Sequence, residues 1–185
     1  MRFSGGIETP IGLLAVESDG TAIRRVHWPA AARSPGTVRW PAAAPSPGAG
    51  PARVLRSTPR QDPLLAEALA QLSAYFSGER TTFDLPFDLG PQSDVTRAVL
   101  RALYETVAHG ETVTYGELAE RSGTSVPARG IGSIMGANPI PIIVPCHRVV
   151  ASDGLGGYSG GGPGEGLVTK RWLLEHEGAL PAALF

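Results

Sequence analysis

The sequence predicts an α/β protein of the α+β kind. An antiparallel-sheet domain is expected over residues 1–90, and a mainly helical domain with a helix-turn-helix over residues 91–185. Three observations predict this arrangement: turn-punctuated apolar runs fill the first 28 residues, apolar residues then recur at helical spacing, and two short helices flank a glycine-containing turn after residue 114. A chain of 185 residues can bury a core of the size that such domains need.

The N-terminal domain begins with strands. Residues 13–17 form an apolar strand, and a turn at Asp19-Gly20 leads to a second strand over residues 23–28. A segment rich in Pro, Ala and Gly follows at about residues 29–62, and its composition predicts a surface excursion. A helix over residues 64–76 and a short strand over residues 81–85 complete the domain.

A long helix is predicted to open the C-terminal domain. Ser93 is a suitable N-cap, Asp94 favours the first turn, and Gly110 closes the segment. Apolar residues at helical spacing form the stripe that we expect to be buried: Val95, Val99, Leu103 and Val107.

The predicted helix-turn-helix consists of a helix over residues 115–121, a turn, and a second helix over residues 127–137. The second helix carries Gly130, Gly132 and Gly136, each of which costs about 1 kcal/mol of helix propensity relative to alanine. Small side chains there permit close approach of another molecule, and tight internal packing would account for them equally well.

The charge balance argues against a protein that wraps many phosphates. The net charge is −1, and residues 91–185 hold seven Lys/Arg against nine Asp/Glu, a balance of −2. If the chain binds DNA, we expect few phosphate contacts and a shallow salt dependence.

Other features favour a cytoplasmic protein. No apolar run approaches the ~20 residues that cross a membrane, and the first residues do not resemble a secretory signal. The single cysteine cannot form an internal disulfide, and one sulfur with four scattered histidines is a poor zinc set. We therefore expect no metal and no cofactor.

The lone cysteine lies in the run Pro145-Cys146-His147-Arg148. A single cysteine is often a small buried hydrophobic residue. Here an imidazole and a guanidinium adjoin it, and nearby cations favour the reactive thiolate. Pro145 also suits a cysteine that enters the first turn of a helix, where the dipole favours thiolate. These neighbours favour a nucleophile.

His147 is the available base, with a bridging water as a route for the proton, since adjacent residues on a helix do not face each other. A third group should orient the imidazole. Glu177 is the best candidate, with Glu175 and His176 as rivals. The glycine-rich segment 154–164 is expected to form a flexible lid beside the nucleophile, with Tyr158 and Ser159 at its centre.

Residues 93–178 resemble the catalytic domain of the O6-alkylguanine-DNA alkyltransferases, the methylated-DNA–protein-cysteine methyltransferases. The matching pieces are TYGELA at 114–119, Ala128-Arg129, Asn138-Pro139, IVPCHRVV at 143–150, GYSGG at 157–161 and WLLEHEG at 172–178. The first ninety residues match only the strand layout of that family's ribonuclease-H-like N-terminal domain.

The resemblance implies a suicidal DNA repair protein. It implies that the chain binds duplex DNA through the minor groove as a monomer, flips the alkylated guanine, and moves the alkyl group irreversibly to Cys146. O4-alkylthymine as a second substrate and cooperative clustering on DNA remain open.

The resemblance also implies roles for individual residues. Glu177, His147 and a water would activate Cys146, Tyr115 would donate to guanine N3, and Asn138 would brace the site. Arg129 would fill the gap that the flipped base leaves. The base pocket would comprise Met135, Val149, Tyr158 and Ser159, with the Ser159 amide facing O6 and the carbonyls of Cys146 and Val149 accepting the exocyclic amine. DNA contacts are implied for Thr96, Tyr115, Gly116, Thr124, Ala128, Arg129, Gly130, Gly132 and Ser152.

The sequence departs from the family in several places. Gly136 stands where relatives often have a basic or polar residue, and Val95 and Arg101 replace an aromatic pair. Residues 162–166 lengthen the loop before the last helix. We expect this longer loop to border the pocket and to admit bulkier alkyl groups.

Two other functions compete. A helix-turn-helix module that binds DNA without chemistry would not need Cys146, His147 and Glu177 together. A Cys-His-Glu hydrolase would need an oxyanion hole and would turn over repeatedly.

Overall fold

The computed structural model describes residues 1–29, the backbone of residues 53–55, and residues 62–181. Its contacts divide the chain into two units, Met1–Asp88 and Leu89–Phe185. The first is built on an antiparallel sheet and the second is mainly helical, which confirms the predicted fold class. Within the described part of the chain, no helix is both long and apolar enough to span a membrane.

A four-stranded antiparallel sheet forms the base of the first unit. Its spatial order is β3-β2-β1-β4. A tight turn joins the first two strands, where Gly12 has a φ of 97° and the Thr9 hydroxyl donates to the Gly12 carbonyl over 2.6 Å. The strands are β1 (Phe3–Thr9), β2 (Gly12–Ser18), β3 (Ile23–His27) and β4 (Arg53–Leu55).

Helix α1 (Pro63–Phe76) packs against β1 and β2. Asp62 caps its N-terminus by accepting from the Leu64 amide, and proline at the first helical position has no N–H to leave unpaired. Gly5 in β1 allows the close approach, because a Cβ there would lie 2.8 Å from Leu69 Cδ1. The buried apolar face of α1 includes Leu65, Leu69 and Leu72.

Two predictions for the first unit need correction. Residues 53–55, assigned to a surface excursion, form an edge strand against β1, while residues 30–52 and 56–61 lie outside the described residues. The strand predicted at 81–85 is wrong. Its backbone is satisfied by a side chain instead, since the Gln71 amide accepts from the Asp84 N–H and donates to the Asp84 carbonyl.

Three helices pack together in the second unit: α2 (Asp94–Thr106), α3 (Tyr115–Arg121) and α4 (Ala128–Gly136). The Ser93 side chain caps α2 as predicted. A reciprocal capping box of Thr114 and Glu117 fixes the start of α3. Hydrogen bonds from Thr114 lower the pKa of Glu117.

Helix α2 departs from its prediction at both ends. Val95 was expected in the buried stripe, yet it is 44% exposed. The helix ends at Thr106, so that Val107 is its C-cap and Gly110, with a φ of 81°, lies in the following turn. Periodicity assigned Val95 correctly to the same face as Val99, but the first turn extends beyond the packed part of that face.

A short parallel pairing brings the start of α3 beside the segment that follows Cys146. Strand β5 (Val113–Thr114) pairs with β6 (Val149–Val150), and α5 (Gly166–His176) follows. The helix predicted to begin at Cys146 is wrong. Residues Cys146–Arg148 form one 3-10 turn, which cannot continue because Val149 is already extended and paired.

Candidate active site

A cavity of about 340 Å³ opens in the second unit. The Cys146 side of the cavity is provided by the 3-10 turn, while α4 and the segment 157–159 supply other walls. Its lining residues are Tyr115, Gly132, Met135, Gly136, Cys146, Gly157, Tyr158 and Ser159. Six of these were predicted as site residues from the sequence, namely all but Gly136 and Gly157.

Asn138 braces the segment that delivers Cys146. Its Nδ2 donates to the Val144 carbonyl over 2.8 Å, and its Oδ1 accepts from the Ile140 amide over 3.1 Å. The same side chain lies near the Cys146 thiol and acts to lower its pKa. Asn138 therefore holds together the loop that joins α4 to the 3-10 turn. Within this loop, Ile142 has a φ of 76°, which is uncommon for a residue other than glycine.

The Cys146 thiol is buried, and burial raises its pKa. The Asn138 side chain and the charge of Lys170 oppose this shift without outweighing it. The expectation that its sequence neighbours favour the thiolate is therefore wrong for the free protein. Arg148 points to Glu177 rather than to the sulfur, and the single 3-10 turn has no macrodipole of the size that a helix provides.

His147 and Glu177 form a fully buried pair. His147 Nε2 lies 2.8 Å from Glu177 Oε1. A carboxylate only accepts, so Nε2 carries the proton and Nδ1 of the neutral ring is an acceptor. Nδ1 is buried and forms no hydrogen bond with the described residues. Burial, Arg148 and Lys170 lower the pKa of His147 more strongly than Glu177 raises it.

Arg148 grips the same carboxylate with two nitrogens. Its Nε donates to Glu177 Oε2 over 2.8 Å and its Nη2 donates to Oε1 over 3.1 Å, while Nη1 donates to the Val107 carbonyl. Burial alone would raise the pKa of Glu177, but the charges and hydrogen bonds of His147 and Arg148 hold it well below its usual range. Glu177 is thus an ionised carboxylate inside the protein.

The two rivals of Glu177 are engaged elsewhere. Glu175 lies 3.6 Å from Arg171 in an ion pair along α5, and the His176 ring stacks on Trp172 with centroids 4.8 Å apart. Glu177 is the residue that hydrogen bonds to the His147 ring, over 2.8 Å.

Lys170 is a site residue that the sequence reasoning missed. Its side chain is fully buried, and Nζ donates to the carbonyls of Val149 (2.6 Å) and Gly157 (3.0 Å). Burial lowers the pKa of Lys170 to about 8, although the nearby Cys146 acts in the opposite direction. A signal was present, because Lys170 precedes the buried Leu173 and Leu174 by three and four residues, on the same helical face.

The wall formed by Tyr158 and Ser159 is held from two sides. The Ser159 hydroxyl donates to the Gly136 carbonyl over 3.3 Å. Behind the wall, Gly166 at the start of α5 packs directly on the Tyr158 carbonyl. The segment 162–166, expected to border the pocket, is absent from the lining of this cavity. Its last residue, Gly166, packs on the Tyr158 carbonyl, and Gly162 packs on the Glu165 side chain.

The residues implied to contact DNA lie on α2, α3, α4 and nearby turns. Gly116, Ala128, Arg129 and Ser152 are exposed, while Thr96, Thr124, Gly130 and Gly132 are partly buried. Thr96 hydrogen bonds with Ser93, and Thr124 with Ser122. Val149, implied for the base pocket, is buried, and its carbonyl already accepts from Lys170. No cluster of three His, Cys, Asp or Glu side chains suited to a metal occurs among the described residues.

Two family models match the chain. The model for the ribonuclease-like domain of 6-O-methylguanine DNA methyltransferase matches residues 3–89, and the model for the DNA binding domain of the same protein matches residues 94–179.

Curated relatives match over part of their length. The methylated-DNA–protein-cysteine methyltransferase of Mus musculus is 45% identical over 120 residues, which is 62% of this chain and 55% of the relative. That of Mycolicibacterium paratuberculosis is 49% identical over 113 residues, 60% of this chain and 64% of the relative. The matched part thus spans between half and two thirds of these relatives.

Solved structures match over nearly the whole chain. The Mycobacterium tuberculosis O6-methylguanine methyltransferase superposes with a TM-score of 0.68 at 33% identity, covering 100% of this chain and 98% of that one. The Mycobacterium tuberculosis OGT in complex with DNA has a TM-score of 0.68 at 36% identity, with 95% and 92% covered.

Proposed function

The chain belongs to the 6-O-methylguanine DNA methyltransferase family, and from that premise we propose that it repairs O6-alkylguanine in duplex DNA by moving the alkyl group to Cys146. One observation carries the proposal. The only cysteine of the chain lines a cavity, next in sequence to a buried neutral imidazole that a carboxylate orients. This arrangement supplies a nucleophile, a base and an orienting group.

The proposed transfer is a single displacement. The Cys146 sulfur attacks the alkyl carbon, the S–C bond forms as the C–O6 bond breaks, and the bonding pair moves into the guanine ring. The thiol proton passes through a water to His147 Nδ1, which has no protein partner among the described residues. The departing guanine regains one proton, so the reaction is balanced. A thioether has no easy leaving group, so each molecule acts once.

The lining of the cavity supports a place for the flipped base. Tyr115 would donate to guanine N3, the Ser159 amide would face O6, and Met135 and Tyr158 would contact the ring. The exocyclic amine would donate to the carbonyls of Cys146 and Val149. The Cys146 carbonyl already accepts from the Val149 amide, and the Val149 carbonyl already accepts from Lys170. Each carbonyl oxygen has a second lone pair, so each can accept one more hydrogen bond.

Helix α4 supports the proposed entry through the minor groove. Arg129 is exposed at its N-terminal end, where an extended side chain can fill the gap that a flipped base leaves. The small residues Ala128, Gly130 and Gly132 would let the helix approach the groove, and Gly132 also lines the cavity. The remaining DNA contacts proposed are Thr96, Gly116, Thr124 and Ser152.

We also propose that the protein acts as a cytoplasmic monomer, without a metal or other cofactor. Activity on O4-alkylthymine and cooperative clustering on DNA are separate questions, which the repair experiment addresses with a second substrate and with long duplexes.

The test counts repaired bases. Duplex DNA with one O6-methylguanine is mixed with increasing protein, and restored guanine is measured by chromatography. We expect a plateau at one guanine per protein, and no repair by Cys146→Ser. Repair that continues beyond one equivalent favours the hydrolase, and binding without repair favours a DNA-binding module. Either result contradicts the proposal.

A further inference from the structure

We propose that Arg148 is a positioning residue that neutralises Glu177 and thereby keeps His147 an uncharged proton acceptor for Cys146. This inference rests on the proposed function, because a proton acceptor for Cys146 is needed only if Cys146 takes the alkyl group. The transfer needs a base that can accept the thiol proton, and a histidine beside a lone buried carboxylate would tend to hold a proton already.

The geometry of the pair carries this inference. Arg148 meets Glu177 with two parallel hydrogen bonds of 2.8 and 3.1 Å, the fork arrangement that fixes a carboxylate in both position and plane. The third hydrogen bond of the guanidinium, 2.8 Å to the Val107 carbonyl, anchors it to the end of α2. Glu177 Oε1 is thereby directed at His147 Nε2.

The charges of the buried cluster have a definite balance. The positive charge of Arg148 and the negative charge of Glu177 balance each other. Lys170 supplies one further positive charge, and Cys146 is an uncharged thiol in the free protein. The titratable groups that influence His147 are Glu177, Arg148 and Lys170, with His109 at the edge of the same cluster. A proton on His147 would raise the buried charge further, which a low-dielectric interior opposes.

The role of Arg148 differs from that of a simple structural anchor. If Glu177 lacked this counter-charge, the carboxylate would stabilise an imidazolium more strongly, and the pKa of His147 would rise against the opposing effect of burial. With Arg148 in place, the carboxylate orients the ring through Nε2–H and leaves Nδ1 as the acceptor. Because Nδ1 carries no proton before the reaction, it can accept the thiol proton during alkyl transfer.

The test follows the titration of His147 by ¹⁵N-detected NMR in the full chain without DNA. Arg148→Gln removes the charge and keeps a donor for Glu177, and the expected result is an upward shift of the His147 pKa by at least about one unit. Arg171→Gln is the matched control, because it removes an exposed arginine that pairs with Glu175, and the His147 titration should not move. An unchanged or lowered His147 pKa in Arg148→Gln overturns the inference.

A second pair of variants covers the case in which Arg148→Gln does not fold. In Glu177→Gln the Arg148 charge is unopposed, whereas the double variant Glu177→Gln with Arg148→Gln carries neither charge of the pair. His147 should accept a proton at higher pH in the double variant than in Glu177→Gln. Identical titration in the two variants would refute the role of the Arg148 charge.

Repair measurements on the same proteins separate this inference from the proposed function. The acid limb of the rate of alkyl transfer should move to higher pH in Arg148→Gln, by the same amount as the His147 titration. If the wild-type protein transfers no alkyl group, the proposed function fails, while the NMR titration still decides whether Arg148 keeps His147 neutral.

Discussion

At the scale of single residues, Lys170 is the least expected feature of the site. Its ammonium group is fully buried, it bonds to two carbonyls, and no carboxylate pairs with it among the residues that the structure describes. Isolated buried charges are costly unless an opposite charge is near. A thiolate at Cys146 would supply that charge, so we infer that Lys170 stabilises the reactive form of the nucleophile.

Replacement of this lysine tests the inference. In Lys170→Met we expect the single-turnover rate of alkyl transfer to fall by about 10²-fold, in line with loss of one preorganised charge. The free energy of unfolding should change little, because relief of the buried charge offsets the loss of the hydrogen bonds to the Val149 and Gly157 carbonyls. Rapid-quench kinetics and urea unfolding measure the two quantities. A loss of stability large enough to explain the loss of rate would contradict the electrostatic role.

The neighbouring residue and the pH dependence provide controls. Arg171→Met changes the adjacent, exposed position and should leave both quantities unchanged.

Lys170 has a folded pKa of about 8, below the 10.5 of a free lysine. The unfolded chain therefore binds more protons between these values, and wild-type stability should rise with pH in that window relative to Lys170→Met.

The sequence could identify the reactive residues of this site but not their charge states. Cys146, His147 and Glu177 were chosen from short motifs, and the structure brings His147 and Glu177 into contact. The direction of the Cys146 pKa shift was predicted wrongly, because sequence neighbours do not reveal which side chain faces the sulfur. The pairing of Arg148 with Glu177 joins residues 29 positions apart, and only the fold creates it.

At the scale of elements, the junction between the glycine-rich loop and α5 packs against the pocket wall. Gly166 begins the helix and packs on the Tyr158 carbonyl, and Gly161, with a φ of 88°, packs on Thr169 in the same helix. These contacts leave no room for a Cβ. The loop extension does not line the cavity, and we expect it to act on the cavity through the position of this wall.

A single methyl group tests this contact. Gly166→Ala should displace the Tyr158 carbonyl, lower the free energy of unfolding by about 1–3 kcal/mol and slow alkyl transfer, because overpacking moves the backbone. Thermal unfolding and repair kinetics are the measurements. Gly154→Ala is the matched control, since a Cβ at Gly154 meets nothing within 4 Å. Equal behaviour of the two variants would show that the junction does not govern the wall.

Elements with local causes were predictable. Ser93 caps α2 as the sequence predicted, because a cap depends on residues three positions apart. The strand at 81–85 was wrong since Gln71, ten or more residues away, satisfies its backbone. The helix at Cys146 was wrong since the pairing of Val149 with Val113 ends the turn.

At the scale of the whole molecule, the low charge constrains how DNA is bound. With a net charge of −1, the chain should contact few phosphates, and we expect log Kd to change with log salt by a slope of about 3 or less. Fluorescence anisotropy over a salt series measures the slope. Arg129→Ala should weaken repair while leaving the slope nearly unchanged if Arg129 fills the base stack. A slope of about 6 or more, typical of extensive phosphate contact, would contradict this account.

We also propose that the two units are domains, over residues 1–90 and 91–185. Every residue that lines the cavity lies between Tyr115 and Ser159, and the buried charged residues Arg148, Lys170 and Glu177 also lie in the second unit. Residues 91–185 expressed alone should therefore unfold cooperatively and keep the depressed His147 pKa. Circular dichroism and NMR measure this against the full chain, and a non-cooperative transition would argue that residues 1–90 are required for folding.

The central claim is that Cys146 is a reagent consumed in one reaction. Intact-protein mass spectrometry after incubation with duplex DNA containing O6-methylguanine tests it most directly. We predict one stable increase of about 14 Da, the replacement of hydrogen by methyl on a covalent nucleophile, and peptide mapping should assign it to Cys146. Restored guanine without a mass change, or an adduct on any other residue, would contradict the claim.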